Sequence, residues 1–302
     1  IHKPNHHYAQ QLTSQGKPIG SEAPQPAPPG IPEIPATPTS YHKAITSPNG
    51  EGALCEEASA AEINRLIQSE TGRFIHWDDK PGDRIASYYN PQLRVKVTNE
   101  NTCERRVRGT YGGDRSDYSG PVSAATAALP TIKLLLNAVV SEDASWMTAD
   151  IKDFYLGTPL PTKEYMHISL KHIPIAAQLQ HNIAVYARNG HVMMEICKGI
   201  YGLPQAGKLA QDRLIAHLAA NGYHECEHTP CLFRHDTLQI AFTLVVDDFG
   251  IKYHQREDAQ HLLTTLEELY IVKADWTGKK YVGLTIKHSQ TARTLSISMP
   301  GY

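Results

Sequence analysis

Apolar positions in this chain recur with two periods, and the changes from one to the other outline its elements. Phe242-Thr243-Leu244-Val245-Val246 and Phe249-Gly250-Ile251-Lys252-Tyr253 are short runs rich in β-branched and aromatic residues, and Asp247-Asp248 lies between them. This predicts a hairpin over roughly 240–253 with the acids at its turn, because a central strand does not bury two unpaired charges. Ala259, Leu262, Leu263 and Leu266 repeat at i, i+3, i+4, i+7, so 256–270 reads as an amphipathic helix. Helices are also expected over Thr126–Val140, with Pro130 near the first turn, and over Ala206–Ala220, ending at Asn221-Gly222. Ser59-Ala60-Ala61-Glu62 before Ile63, Leu66 and Ile67 has the form of a capping box, with Gly72 as the stop.

Strands are expected over 86–114, with a turn at Asn99-Glu100-Asn101, over Trp146–Ile151, and over 280–287 and 294–299. Residues 158–199 read as mixed, with a hairpin around Asn189-Gly190. The order strand, insertion, helix, hairpin, helix, strands is an α+β layout, an antiparallel sheet with helices on one face. Lys17 to Ser40 is dense in Pro, Ala, Gly and Thr, so 1–48 reads as a disordered Pro-rich tail or linker ahead of a folded 49–302, ordered from about Ser59.

The 302 residues suffice for a sizeable core, with 41% hydrophobic and 20% charged residues. A net charge of -2 gives no general basic footprint for nucleic acid, so such binding would have to rest on a local patch. No apolar run is long enough for a membrane span, and no membrane partner is expected. Five irregularly spaced cysteines suggest reduced thiols and a cytoplasmic or nuclear setting. Ile1 in place of Met suggests a piece of a longer polypeptide.

Asp150 ends the apolar run Trp146-Met147-Thr148-Ala149. If that strand lies beside the hairpin, Asp150, Asp247 and Asp248 meet at one sheet edge, where they repel unless cations screen them. Two Mg²⁺ ions are the natural partners, and the constellation is that of two-metal phosphoryl transfer. In Arg105-Arg106-Val107-Arg108, strand alternation puts Arg106 and Arg108 on one face, where forked guanidinium groups suit phosphate oxygens. His224, Cys226, His228, Cys231 and His235 cluster in sequence but fit no standard zinc spacing, and read as a packed turn and strand. Gly112-Gly113-Asp114 lies outside the order of the acidic motifs and is set aside.

Thr148-Ala149-Asp150-Ile151-Lys152-Asp153-Phe154-Tyr155-Leu156-Gly157-Thr158-Pro159-Leu160 resembles motif A of retroelement reverse transcriptases. Lys198-Gly199-Ile200-Tyr201-Gly202-Leu203-Pro204-Gln205-Ala206-Gly207 resembles motif B as copia-type LTR retrotransposons write it, and Leu244-Val245-Val246-Asp247-Asp248 resembles motif C. Tyr281-Val282-Gly283-Leu284-Thr285-Ile286 is similar to a primer-grip segment. Val245 stands where retroelements often have Tyr, and Gly109-Thr110-Tyr111 departs from the Leu-Val pair that commonly follows the fingers arginine in copia elements.

The resemblance spans roughly 55–302 and implies right-hand polymerase fingers and palm, the palm core at about 146–157 and 200–302. It implies RNA-directed DNA polymerase activity that adds deoxynucleotides to a primer 3′-end on an RNA or DNA template, with two Mg²⁺ ions, or Mn²⁺ in their place. Asp150 and Asp247 would be the principal metal ligands, with Asp248 supporting. Arg106, Arg108, Asp153, Tyr155 and Gln205 would serve the incoming nucleotide, Arg108 at its triphosphate and Tyr155 excluding a 2′-hydroxyl. Lys279 and Lys280 fall where the family often has a lysine near the pyrophosphate, and Tyr281, Val282 and Gly283 would grip the primer. Integrase and RNase H parts of one polyprotein are the implied partners, and a virus-like particle in the cytoplasm the implied setting. The rival is a catalytically dead or domesticated fragment that only binds nucleic acid.

Overall fold

The computed structural model describes residues 37–38, 40–48, 50–99 and 102–300, so the expected disorder of residues 1–36 and the turn residues Glu100 and Asn101 lie outside it. By its contacts the chain divides into Ile1–Thr37 with Val95–Glu104, and Pro38–Arg94 with Arg105–Tyr302. In the described part of the first, the Val95 amide donates to Thr37 Oγ1 at 3.3 Å.

A six-stranded sheet dominates. Its strands are β4 (Ser145–Lys152), β7 (Tyr223–Glu225), β8 (Leu232–His235), β9 (Ile240–Val245), β10 (Asp248–Tyr253) and β11 (Ile271–Asp275). They run in the order β11-β4-β10-β9-β8-β7, and every pairing is antiparallel. Phe233 and Phe242 stack on one face at 5.0 Å, and Tyr223, 5.8 Å from Phe242, hydrogen bonds His261 of helix α6 (Arg256–Glu267). Helix α5 (Ala206–Ala220) joins α6 through His217 Nε2 and the Thr265 carbonyl, 2.6 Å apart. The expected helices on one face are thus α5 and α6. A third helix, α3 (Leu129–Ser141), carries Pro130 in its first turn and packs on β9 and β10. The opposite face carries Trp146, Thr243 and Gly250, covered by Tyr281 from the small sheet β12 (Lys280–Tyr281), β13 (Leu284–Ser289) and β14 (Thr294–Ser298). The break at Val282-Gly283 divides the expected 280–287 strand, because both residues adopt positive φ.

A second sheet has the order β1-β6-β5-β2-β3, from β1 (Gly72–Ile75), β2 (Ala86–Asn99), β3 (Thr102–Tyr111), β5 (Pro159–Ser169) and β6 (His191–Lys198). Its β2–β5 pair is parallel. Asn189-Gly190 makes the expected tight turn, closed by a single antiparallel bridge between Arg188 and His191, and β6 runs on from it along β5 and β1.

Two expectations at the start of the fold are corrected. Helix α1 (Tyr41–Ile45) is already packed, with Tyr41 and Ala44 buried, so order begins before residue 48. Helix α2 (Glu51–Gln68) runs through Ser59, which caps nothing: its hydroxyl donates to the Cys55 carbonyl four residues back, the alternative open to a buried mid-helix serine. Glu62 is likewise free of the cap and turns inward. The short α4 (Ile175–Gln180) completes the helices among the described residues, and none of these is long and apolar enough to cross a membrane.

Gly250 lets the small sheet approach the large one closely. A Cβ there would lie 2.6 Å from both the Trp146 and Tyr281 rings. Gly250→Ala is expected to destabilise the fold by about 2 kcal/mol through overpacking, measured by denaturant unfolding.

Candidate functional site

The β9–β10 hairpin closes in two residues, Val246 and Asp247, between the paired Val245 and Asp248. Val246 has φ 61, a left-handed value that strains a β-branched side chain. The Asp247 carbonyl accepts the Ile151 amide at 3.0 Å and locks the turn onto β4. Register then places Asp248 opposite Asp150, and Lys273 of β11 opposite Asp150 on its other side. Cross-strand partners share a face with Cβ atoms about 5 Å apart. Asp150 and Asp248 therefore project together on the face that also carries Gly250, at the end of the strands where Asp247 turns.

The electrostatics follow from this placement. Burial raises the Asp247 carboxyl, and the charge of Asp150 adds to it. Asp248 rises to about 6, from burial first and then from Asp247 and Asp150. Among the described residues no three His, Cys, Asp or Glu side chains are set to hold a metal ion as they stand. The donor set nevertheless suits Mg²⁺, a cation usually held by one or two carboxylates and completed by water and substrate phosphate. Oxygen-only donors, charged and half-buried, are the chemistry such an ion neutralises.

A cleft of about 470 Å³ opens beside the acids, lined by Arg108, Tyr155, Tyr201, Asp247, Asp248 and Val282 among others. Arg108 is exposed on β3, as alternation predicts, and its guanidinium lies 4.6 Å from the Tyr201 ring centre. Tyr155 meets Tyr201 edge-on at 5.4 Å and packs against the cores of both large sheets. Burial and then the Asp247 charge push its phenol up. Arg106 shares the exposed side of β3 with Arg108.

Other predicted residues are placed elsewhere. Gln205 is 3% exposed at the start of α5, and its amide donates to Glu164 at 2.8 Å while its Oε1 has no partner. Glu164 also takes Arg84 at 2.8 Å, so Gln205 belongs to a buried polar knot and does not line the cleft. Asp153 is spoken for by Arg65 of α2. Tyr281 is buried and bonds Thr243 at 3.0 Å, so of the three primer-grip residues only Val282 reaches the cleft. Lys280 and Lys273 line a second pocket that shares Asp248 and Val282 with the cleft and also takes in Asp150, Tyr281 and Gly283. In the His/Cys stretch Cys231 is fully buried against Gln211, and His235 accepts the Thr237 and Leu238 amides. Gly112-Gly113-Asp114 forms a turn in which Asp114 accepts the Tyr88 hydroxyl at 2.7 Å.

Sequence reasoning missed Glu62 and Arg65. Arg65 Nε donates to Glu62 at 2.8 Å, and Glu62 accepts the Gly109 amide at 2.7 Å. Their i, i+3 spacing on a helix was the available signal, obscured by the capping-box reading.

No family model matches the chain, and no curated protein does. Among solved structures it is similar to a foamy viral protease–reverse transcriptase in complex with double-stranded DNA, with 13% identity and a TM-score of 0.42. The alignment covers 76% of this chain and 34% of that one, so the chain spans about a third of that protein's length.

The raised Asp248 pKa fixes a sign. Between the usual carboxylate value and about 6 the folded state holds a proton that the unfolded state has lost, so stability falls as pH rises through that window. Above it the uncompensated charge persists. Asp248→Asn is therefore expected to raise Tm at pH 7.5 in EDTA by roughly 2–4 °C, and Mg²⁺ to stabilise the unsubstituted chain at pH 7.5 but not at pH 4.5. Calorimetry at the two pH values reads both effects; a lower Tm for the variant in EDTA contradicts this electrostatic account.

Proposed function

We propose that this chain is the fingers and palm of a copia-type reverse transcriptase, an RNA-directed DNA polymerase that joins deoxynucleotides to a primer 3′-end. The observation that carries the reading is the register that sets Asp150 opposite Asp248, beside Asp247, with Asp247 and Asp248 lining a cleft walled by Arg108, Tyr155 and Tyr201 and with Asp150 and Asp248 lining a second pocket.

Asp150 and Asp247 would hold two Mg²⁺ ions, with Asp248 supporting. When bound, such ions supply a lowered pKa at the primer 3′-hydroxyl and charge neutralisation at the departing pyrophosphate. The residues of the chain do the positioning. Arg108, stacked on Tyr201, keeps guanidinium N–H groups available for triphosphate oxygens. Tyr155 lines the cleft and would meet the sugar there, excluding a 2′-hydroxyl. Val246 and Val282 offer apolar surface beside the acids, suited to the primer terminus. A template strand, RNA or DNA, and the integrase and RNase H parts of a polyprotein complete the proposed setting.

Primer extension on an RNA template with deoxynucleotides and Mg²⁺ tests the reading. Asp247→Asn is expected to lower incorporation by about 10³-fold, as loss of several kcal/mol of transition-state charge stabilisation requires. No incorporation by the folded, unsubstituted chain in Mg²⁺ or Mn²⁺ would favour a non-catalytic relic. Tyr155→Ala is expected to keep extension while lowering discrimination against ribonucleotides by about 10–100-fold, read as the ratio of kcat/KM values.

A further inference from the structure

Helix α2 touches neither the acids nor the cleft, yet it grips both of the cleft's walls. Glu62 is 4% exposed and accepts the backbone amide of Gly109, the residue after Arg108. Arg65 Nε and Nη2 donate to the same carboxylate at 2.8 and 2.9 Å, while Nη1 reaches Asp153. Asp153 stands two residues before Tyr155, in a left-handed conformation at φ 54. The two walls meet again at Tyr201, whose ring contacts both Arg108 and Tyr155, and whose carbonyl accepts the Tyr111 amide at 2.7 Å. The circuit is closed: α2 to β3, β3 to Tyr201, Tyr201 to Tyr155, and Asp153 back to α2.

We propose that Arg65, with Glu62, is a positioning residue that sets the separation of the Arg108 wall from the Tyr155 wall, so that triphosphate and sugar are engaged at once. This rests on the polymerase reading for its consequence, though not for its geometry. The forked guanidinium suits the task because it serves two carboxylates in one plane, which an ammonium cannot reproduce. Glu62 could not be buried as a lone charge, and Arg65 supplies the compensation that allows it to hold the β3 amide. Without the Asp153 arm the Tyr155 segment loses its ion pair to the helix that holds the Gly109 amide. The loss falls on nucleotide binding more than on chemistry, since the acids are held by the β4–β10 register.

The test compares Arg65→Ala, Arg65→Lys and Asp153→Asn. Asparagine tolerates the left-handed backbone at 153, so that variant folds even where removal of the buried partner of Glu62 does not. Primer extension is expected to show KM for the deoxynucleotide raised about tenfold in Arg65→Ala and Asp153→Asn with kcat changed less than about threefold, and partial recovery in Arg65→Lys. Hydrogen exchange supplies a readout independent of activity. In Asp153→Asn the Gly109 amide, which Asp153 does not touch, is expected to exchange faster together with residues 153–156. Unchanged Gly109 protection in Asp153→Asn, or a fall in kcat with KM unchanged, overturns the proposal. Should the unsubstituted chain extend no primer, the polymerase reading falls, and the exchange experiment alone upholds or overturns the clip.

Discussion

Everything at this site depends on one register: Asp248 of β10 opposite Asp150 of β4. Two like charges opposite each other on adjacent strands are unfavourable, and neither has a cationic side chain paired with it in an ion pair among the described residues. The arrangement persists because it is imposed from elsewhere. Phe249 and Ile251 point to the helix-covered face and are fully buried, and a slip of one residue would turn both outward. The hydrophobic demand of one face thus dictates the electrostatic cost on the other. Asp247 adds to this by spending its carbonyl on the Ile151 amide, which fixes the turn against the strand that carries Asp150.

The second constraint is that the chain leaves this sheet and returns to it. After β4 it runs into β5 and β6 of the other sheet, then comes back through Tyr201 and α5. Residues 153–158 and 199–205 are the two crossing points, and their backbones are joined by the Gly199 amide and the Thr158 carbonyl at 2.8 Å. Tyr155 and Tyr201 sit at these crossings, which is why they, and not residues deep in either sheet, line the cleft. Arg108 reaches them from the end of β3.

This explains what was legible in the sequence. The β9–β10 hairpin, α5 and α6 were readable because their apolar patterns are dictated by contacts with one neighbouring layer, and Asp150 was readable because it ends such a run. The start of α2 was not, since Ser59-Ala60-Ala61-Glu62 satisfies a local capping rule while the fold uses its polar groups differently, Ser59 on its own helix and Glu62 on a strand 47 residues away. Gln205 was misplaced for a related reason. Its position ahead of a helix was correct, but a side chain at that point can turn to the cleft or to the interior, and only the three-dimensional proximity of Glu164 and Arg84 decides for the interior. Pairings between distant polar residues leave no periodic trace.

Part of the fold's local cost falls where the chemistry is proposed. Val246 and Asp153 hold positive φ, and Asp247 and Asp248 hold raised carboxyl pKa values, all within the strand ends and crossings around one cleft. Each non-glycine left-handed residue costs of order 1–3 kcal/mol, so the surrounding packing must over-determine these positions. It does so on the Val246 side through a fully buried β9 core of Phe242 and Leu244, and on the Asp153 side through the Arg65 pair. A hairpin selected for stability alone would place glycine at the first turn position and would separate the acids. This one does neither: a strained valine turn holds two carboxylates side by side against a third, an arrangement that the packing of the opposite sheet face imposes and that hairpin stability alone does not explain.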